Sequence, residues 1–326
     1  MTKILVTGGA GYIGSHTVRH LIQRGIAPKD IVVLDNLSAG HERFVPTGVE
    51  FERGDLAEPS DVSRLFARHS PDSVIHFAGV TYVGESVTSP EKYYRNNVVA
   101  GLNLLQAMLG SSCRRIVFSS SCATYGIPLS LPIREDDAQQ PVNPYGETKL
   151  IFEHALRWYG RAHGIRSVAL RYFNAAGAGY DIGERHSPET HLIPLAIRAA
   201  LQQGPTLMVY GSDYDTPDGT CVRDYVHVLD LAEAHIAALE WLAQADSPFT
   251  GFNLGTGQGT SVTEIVRAVS EASQQEVPIA IAPRRAGDPP VLVADPTRAL
   301  EVLGWRALRD IRDIVRDACA WHVRNP

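Results

Sequence analysis

The sequence predicts an α/β protein: a doubly wound parallel (Rossmann) sheet followed by a smaller C-terminal α+β domain. Short buried strands alternate with amphipathic helical segments over about 170 residues. A glycine-rich turn joins the first strand to the first helix, and the later strands end in small or polar residues. Because ligands of such sheets bind outside the carboxyl ends of the strands, these residues are expected to form one site.

Size and composition are those of a globular chain. The 326 residues correspond to one large or two ordinary domains, with 44% hydrophobic and 20% charged residues. The net charge of −6 argues against a general nucleic-acid or membrane-surface binder. Apolar runs stay shorter than the roughly 18 residues of a membrane span. Four cysteines without a C-x-x-C pair indicate reduced thiols, and hence a cytoplasmic location.

The first strand is expected at residues 3–7 and the first helix from Ser15 to about Gln23. Between them lies the glycine turn, residues 8–14, with the sequence GGAGYIG. Glycines here permit a tight strand-to-helix turn and let a diphosphate approach the backbone. The N-terminus of the helix then stabilises the phosphate charge, so the turn predicts a dinucleotide site.

Asp35 supports that interpretation. It closes a second buried strand, residues 31–34, and lies 21 residues past Gly14, where a ribose hydroxyl needs an acceptor. A carboxylate at this position repels a 2′-phosphate. The sequence therefore favours NAD over NADP as the cofactor.

The other elements of the first half follow from the same periodicities. The strand at 73–79 closes in Phe77, Ala78 and Gly79, as expected beside a cofactor, and the strand at 115–118 runs into Ser119–Ser121. A further strand is expected at 49–52 and another at 167–173; helices are expected at 61–69, at 90–109 and from 145 to about 163.

Tyr145 and Lys149 open the last of these helices. Residues four apart lie on one helix face, so the phenol and the ammonium are expected to be neighbours. An unperturbed tyrosine titrates near about 10, and a shift to near 7 requires roughly 4 kcal/mol from nearby positive charge. Alone, such a pair is typical of a surface contact; the strand ends beside it give it a catalytic interpretation.

The second half has a different character. Helices are expected at 191–202, 230–243 and 308–322, and extended segments at 207–210 and 222–228. A second glycine cluster, residues 255–259, is interpreted as a structural loop because Ser261 and Glu264 behind it form a capping box. Residues 283–290 form a basic, proline-rich loop.

Two weaker signals are given structural interpretations. The twelve histidines show no metal-ligand spacing, so no metal is expected. Cys122, beside Ser121, is expected to be a buried small residue and not a nucleophile.

Several motifs together resemble a known family. The glycine turn, the Ser121, Tyr145 and Lys149 set, and residues 171–174 (RYFN) resemble the extended short-chain dehydrogenase/reductase superfamily. More narrowly, the chain resembles the UDP-glucose 4-epimerase family over residues 3 to about 305, through the segments GGAGYIGSH (8–16), LDNL (34–37), HFAG (76–79), VGESV (83–87), CVRDY (221–225) and RRAGD (284–288).

The resemblance implies a reaction on a UDP-linked sugar with tightly bound NAD. Tyr145 acts as the base on the sugar 4-hydroxyl, Lys149 lowers the pKa of Tyr145, and Ser121 hydrogen-bonds the same oxygen. Hydride leaves C4, the 4-keto sugar turns over, and hydride returns to the other face, which interconverts UDP-glucose and UDP-galactose. Loose contacts to the sugar then require a firm UDP anchor.

The resemblance also implies the contacts and the organisation. Residues 1–175 form the NAD-binding domain and 176–326 the nucleotide-sugar domain, with some segments packing back on the first, and two chains form a homodimer through helices that include the Tyr145 helix. The cofactor contacts are Gly8, Gly11, Tyr12, Ile13, Asp35, Asn36, Asp55, Leu56, Phe77, Ala78, Gly79, Asn96, Ser119, Tyr145, Lys149 and Tyr172. The substrate contacts are Ser121, Tyr145, Asn174, His191, Leu192, Tyr210, Arg223, Arg285 and Asp288.

Departures from the family leave the substrate range open. Some relatives carry Lys in place of Thr81 and Asn in place of His191. Leu292 lies where other members have either a Tyr that closes the sugar pocket or a smaller residue that admits an N-acetyl group. UDP-N-acetylhexosamines and UDP-pentoses therefore stay as alternative substrates.

Other functions on the same fold are disfavoured. A 4,6-dehydratase needs an acidic pair after the catalytic Ser or Thr, whereas Cys122 and Ala123 follow Ser121. A dehydrogenase or reductase would release its cofactor. A redox-sensing binding module is expected to lack Tyr145 or Lys149, and both are present.

Overall fold

The structure, a computed structural model, describes residues 3–285 and 287–325; Ala286 of the basic loop lies outside the described residues. The strands are β1 (Ile4–Thr7), β2 (Ile31–Asp35), β3 (Glu50–Arg53), β4 (Ser73–His76), β5 (Arg115–Ser121), β6 (Arg166–Tyr172), β7 (Asn174–Ala176), β8 (Leu207–Tyr210), β9 (Val222–Arg223), β10 (Tyr225–His227), β11 (Phe249–Leu254), β12 (Thr260–Ser261), β13 (Ile279–Ala282) and β14 (Val291–Leu292).

The helices connect these strands and cover both faces of the main sheet. They are α1 (Tyr12–Gln23), α2 (Pro59–His69), α3 (Val83–Thr88), α4 (Pro90–Tyr93), α5 (Ala100–Leu109), α6 (Pro144–His163), α7 (Leu192–Ala200), α8 (Val228–Gln244), α9 (Val262–Ser273), α10 (Thr297–Leu303) and α11 (Ile311–Arg324). Within the described residues, no helix combines the length and the apolar character that crossing a membrane requires.

The main sheet has seven parallel strands in the order β3-β2-β1-β4-β5-β6-β11. The chain crosses from one side of β1 to the other between β3 and β4, so the strand order reverses at β1. A crevice at such a reversal is where doubly wound folds bind ligands. The predicted fold class is confirmed.

Each face of this sheet is covered by its own apolar layer. On one face, β-branched strand residues pack against α1 and α8 through side chains such as Leu21 and Leu231. On the other, α2, α5 and α6 pack through Leu65, Leu104 and Phe152. Strands buried on both faces read as continuous apolar runs, which explains why their positions could be predicted.

The second half contributes to both parts of the molecule. Strand β11 pairs with β6 and α8 packs on α1, so these two elements belong to the main sheet and its cover. Helices α7, α9 and α11 form a separate apolar layer around Ile197, Val269 and Ile314.

Several boundaries differ from the prediction for local reasons. Helix α1 begins at Tyr12, three residues early, because Gly11 is its N-cap. The expected helix at 90–109 is α4, a π-helical turn over Tyr94–Val99, and α5 in succession. One extra residue in a helical turn rotates the following side chains about the helix axis. Asn96 and Asn97 therefore point in directions that differ from those in a regular α-helix.

Candidate active site

Helix α6 begins where the sequence predicted. The Asn143 side chain caps it by accepting a hydrogen bond from Gly146 N at 2.9 Å, and Pro144 occupies its first turn. A Cβ on Gly146 would lie 2.4 Å from Ala123 O, in the segment that follows Ser121. Only glycine therefore lets the first turn of α6 pack against the end of β5, which brings Tyr145 to Ser121.

Tyr145 and Lys149 are neighbours on the buried face of α6. Tyr145 is 8% exposed and Lys149 4%. The Lys149 ammonium lies 5.7 Å from the centre of the Tyr145 ring and 4.9 Å from that of Phe118, and Nζ donates to Ser119 O at 2.9 Å. The end of β5 therefore fixes the ammonium beside the phenol.

The charge states of the pair are set by burial. Burial raises the pKa of Tyr145 well above its ordinary value, while hydrogen bonding to Ser121 acts in the opposite direction. Burial lowers the pKa of Lys149 to about 8. The site by itself thus favours the neutral phenol, and forming a phenolate requires further positive charge next to Tyr145.

Tyr172, also predicted at this site, lies beside the pair. Its hydroxyl hydrogen-bonds the Ser119 hydroxyl, and burial raises the pKa of Tyr172 to about 12. Ser121 Oγ accepts from Ala123 N at 3.1 Å, which fixes the serine at the end of β5. Strands β5 and β6 therefore supply a cluster of hydroxyl groups around Tyr145.

The glycine turn is shaped to approach a ligand. Gly8 adopts φ +71°, and a Cβ on it would lie 2.6 Å from Ala78 N, so the turn contacts the end of β4. Gly11 caps α1 with its backbone alone, and the described residues place no side-chain cap and no acid at this helix terminus. The amides of Tyr12 and Ile13 are thus directed at an anion, as a dinucleotide diphosphate requires.

Asp35 closes the same crevice. Its carboxylate accepts from Ala10 N at 3.0 Å and from Leu37 N at 2.8 Å, and burial raises its pKa. Beyond it, Asn36 Nδ2 donates to Asp55 Oδ2 at 3.1 Å, next to buried Leu56. These residues fit the ribose and base end of a dinucleotide.

Asn97, which contacts the segment after β4, was not assigned a role from the sequence. Asn97 Oδ1 accepts from Val80 N at 2.8 Å, and its Nδ2 lies 3.0 Å from Thr148 Oγ1. Asn97 thus ties the segment after Gly79 to the turn of α6 between Tyr145 and Lys149. Asn96, the predicted contact, is half-buried and donates to Lys92 O at 2.8 Å. Phe77 packs at a tilt of 40° against the buried ring of His235, with the ring centres 4.4 Å apart.

The segment 177–182 of the second half is bonded to α1. Tyr12 OH donates to Gly177 O at 2.6 Å, His16 Nε2 lies 3.2 Å from Ile182 O, and His20 Nδ1 lies 2.7 Å from Tyr180 OH. The first turn of the dinucleotide-type helix is therefore attached to the second half of the chain.

The predicted substrate residues of the second half meet in two pairs. Arg223 forms an ion pair with Asp288, and Arg285 stacks on the Tyr210 ring with Cζ 4.0 Å from its centre. Asp224, next to Arg223 in the sequence, is buried and accepts from Thr256 N at 2.8 Å and Gly257 N at 3.1 Å. It anchors the second glycine cluster, whose capping box at Ser261 is confirmed.

Three further predicted residues surround α7. Asn174 lies in β7, where its backbone N–H donates to Asp224 O at 2.9 Å. Leu192 is the first residue of α7. Burial alone would lower the pKa of His191, but the Glu184 carboxylate, followed by Glu189, raises it to about 10. The two carboxylates thus favour the protonated form of this imidazole.

The fold brings together four potential metal ligands that their spacing in the sequence did not predict. Glu184, His186, Glu189 and His191 converge, with one potential ligand atom from each within 4.8 Å of the others. Their spacing, E-x-H-x-x-E-x-H, matches no familiar motif, because a folded turn and not a regular helix brings them together.

Comparison with known proteins agrees with this geometry. The model of the NAD-dependent epimerase/dehydratase family matches residues 4–255. The chain belongs to this family. A UDP-glucose 4-epimerase of Rhizobium meliloti (strain 1021) is 51% identical over 99% of this chain and 98% of that protein.

Solved structures of family members have the same fold. UDP-glucose 4-epimerase from Brucella ovis in complex with NAD is 51% identical, covers 98% of both chains and superposes with a TM-score of 0.94. The Bifidobacterium longum epimerase in complex with NAD⁺ and UDP is 39% identical, with a TM-score of 0.94 over 100% of this chain and 99% of the other. NAD is the cofactor of the family, and the uncapped terminus of α1 and the Asp35 carboxylate fit it.

Proposed function

We propose that this family member is a UDP-glucose 4-epimerase, which interconverts UDP-glucose and UDP-galactose with a retained NAD. The observation that carries the proposal is the convergence of Tyr145, Lys149 and Ser121 beside the glycine turn at the carboxyl edge of the sheet. Full-length relatives with about half of their residues identical bear the same activity in their names.

The chain's own residues manage the proton. Tyr145 takes the proton from the sugar 4-hydroxyl as that carbon is oxidised, and returns it when the ketone is reduced. Lys149 stabilises the phenolate electrostatically, and Ser121 donates a hydrogen bond to the same sugar oxygen. Bound NAD supplies the acceptor and then the donor of the C4 hydride, and its positive charge adds to that of Lys149.

The first half would hold NAD through residues at the ends of six strands and on helical segments beside them. Amides of the glycine turn would bind the diphosphate, Asp35 a ribose, and Lys149 and Tyr172 the nicotinamide end. The proposed set comprises Gly8, Gly11, Tyr12, Ile13, Asp35, Asn36, Asp55, Leu56, Phe77, Ala78, Gly79, Asn96, Ser119, Tyr145, Lys149 and Tyr172. Residues 1–175 would thus form the cofactor domain and 176–326 the nucleotide-sugar domain.

The second half would hold UDP while the sugar turns over. Arg223 and Arg285 suit the diphosphate, because guanidinium groups bind phosphate oxygens in pairs. Asp288 suits the uridine ribose, and Tyr210 offers a ring face beside Arg285. Asn174, His191 and Leu192 complete the proposed substrate contacts, from β7 and from the start of α7.

The test of the function is turnover without added cofactor. Purified enzyme is incubated with UDP-galactose, and the product is followed by NMR. Appearance of UDP-glucose without NADH in solution is the expected result. NADH accumulating in proportion to the substrate consumed would instead identify a dehydrogenase.

Parallel arms with UDP-N-acetylgalactosamine and UDP-arabinose measure the substrate range. Leu292 lies half-buried against the cluster that contains Phe173 and Tyr125. UDP-galactose is expected to give the highest kcat/KM of the three.

We expect Arg285→Ala to weaken UDP binding by roughly 1–3 kcal/mol, the worth of a charged hydrogen bond. Isothermal titration with UDP measures the change. Arg284→Ala is the matched control, because the Arg284 side chain is paired with Asp213, with Nε 2.7 Å from Asp213 Oδ1. Unchanged UDP affinity in Arg285→Ala, or an equal loss in both variants, would contradict the anchor.

A homodimer is proposed through α5 and α6. Leu102 is exposed on α5, and Trp158 is exposed on α6 with 65% of its surface accessible. Val99, the residue just before α5, is exposed as well. Exposed aromatic and aliphatic side chains on neighbouring helices are typical of interfaces. We expect Trp158→Glu to shift sedimentation from dimer to monomer, and a wild-type monomer at micromolar concentration would refute the proposal.

All four cysteines carry unpaired thiols, which supports the proposed cytoplasmic location.

A further inference from the structure

Four metal-type ligands converge just before α7, outside the Tyr145 site. Glu184, His186, Glu189 and His191 each contribute one oxygen or nitrogen atom to a group that spans at most 4.8 Å. Two imidazoles and two carboxylates are a donor set that suits zinc, whereas calcium and magnesium prefer oxygen ligands alone. The composition of the cluster therefore selects for a borderline transition ion.

The distances are close to those that a tetrahedral ion imposes. Zinc bonds to nitrogen and oxygen of about 2.0–2.2 Å place neighbouring ligand atoms roughly 3.3–3.5 Å apart. Glu184 Oε1 lies 3.2 Å from His186 Nδ1 and 2.8 Å from His191 Nδ1, and Glu189 Oε1 lies 2.8 Å from His191 Nδ1. Admitting the ion would widen the two 2.8 Å contacts by about half an ångström and draw in the more distant ligand atoms, which lie within 4.8 Å of one another.

His186 gives the cluster an unsatisfied member. Its Nδ1 atom is buried and makes no hydrogen bond to any described residue, although a carboxylate oxygen lies 3.2 Å away. Buried polar atoms without a partner are rare, and an unaccounted ion is one of their ordinary explanations. A lone pair on Nδ1 would bind a metal at this place.

Burial of Glu184 points the same way. The residue is 5% exposed, and a buried carboxylate is costly unless it is paired or coordinates a metal. Its neighbours are the two imidazoles, whose rings lie 5.2 Å apart. The Tyr82 ring packs edge-on against His186 at 5.8 Å and limits the access of water.

We propose that Glu184, His186, Glu189 and His191 form a tetrahedral zinc site. The ion would cross-link residues 184–191 at the entrance to α7. It would displace a proton from the His191 imidazole and bind Nδ1, which leaves Nε2 of the same ring free of the metal. The site shares His191 with the proposed substrate contacts, but zinc binding does not depend on the proton transfer at Tyr145.

The test is zinc binding by tag-free protein, since a polyhistidine tag would itself bind zinc. Wild-type enzyme is stripped with chelator, titrated calorimetrically with Zn²⁺, and assayed for retained metal after gel filtration. About one equivalent is expected, with the affinity reduced about tenfold or more in His186→Ala and in Glu184→Gln. His163→Ala, which removes an exposed histidine at the end of α6, is the control and is expected to bind like wild type.

Cobalt distinguishes this site from the cysteines. Co²⁺ at four nitrogen and oxygen ligands gives tetrahedral visible bands without the near-ultraviolet thiolate absorption that a cysteine site would add. Mg²⁺ and Ca²⁺ are expected to give no heat at the same concentrations. Wild-type protein that retains no zinc, ligand variants that bind as tightly as wild type, or a thiolate band would each overturn the proposal. If a variant does not fold, the zinc stoichiometry and the cobalt spectrum of the wild-type protein test the proposal by themselves.

Discussion

Tyr145→Phe is expected to lower kcat by about 10²–10⁴-fold, the usual contribution of a positioned acid–base group. The variant loses one hydroxyl and keeps the ring that packs in the site. Bound NAD should remain, because the glycine turn and Asp35 are untouched. Measuring kcat for UDP-galactose together with the NAD released on denaturation separates loss of chemistry from loss of cofactor.

The same helix offers the control. Tyr159 is half-buried on α6 and packs against the apolar layer of that face, far along the helix from Lys149. Tyr159→Phe removes the same atom and is expected to keep kcat within about twofold. Near-wild-type activity in Tyr145→Phe would reject the assignment of Tyr145 as the base. The buried phenol and the Lys149 ammonium beside it would then take no part in proton transfer.

Glu153→Gln is expected to lower the free energy of unfolding by about 3–5 kcal/mol, as happens when one partner of a buried ion pair is removed. Glu153 is fully buried one turn beyond Lys149 on α6. Its carboxylate accepts from Arg171 Nη2 at 2.7 Å, Arg171 Nε at 3.0 Å and Ser120 Oγ at 2.7 Å. The glutamine leaves the buried Arg171 guanidinium without a counter-charge.

Urea unfolding measures this change, and Arg157→Gln is the control. Arg157 also lies near the Glu153 carboxylate, at 3.6 Å, but its side chain is one-third exposed. A partly solvated pair contributes only about 0–1 kcal/mol. Equal destabilisation by both variants would show that total charge, and not the buried pair, stabilises α6. Because Ser120 precedes Ser121, we also expect Glu153→Gln to lower kcat.

The first half could be predicted because its signals are local. The glycine turn, Asp35 and the Tyr145 pair each depend on residues within one strand–turn–helix unit, and parallel topology brings such units to one edge. Asn97 was not assigned, because the π-helical turn that directs it toward Gly79 has no signature that we could recognise.

Long-range arrangements could not be predicted. Strand β11 carries an ordinary strand pattern, and nothing in residues 249–254 indicates that its partner is β6. The Glu184 cluster likewise depends on a turn without periodicity, so only the folded chain shows its members together. The pairing of Arg223 with Asp288 joins residues 65 positions apart, beyond any spacing rule.

The bonds from α1 to the segment 177–182 bear on cellular regulation. Tyr12 and His16, at the start of that helix, are hydrogen-bonded to carbonyls of the second half. We expect these bonds to slow the release of a dinucleotide held at the glycine turn, so that it stays bound over many turnovers. The enzyme would then carry its own redox equivalent, and its rate would be independent of the ratio of oxidised to reduced nicotinamide in the surrounding pool.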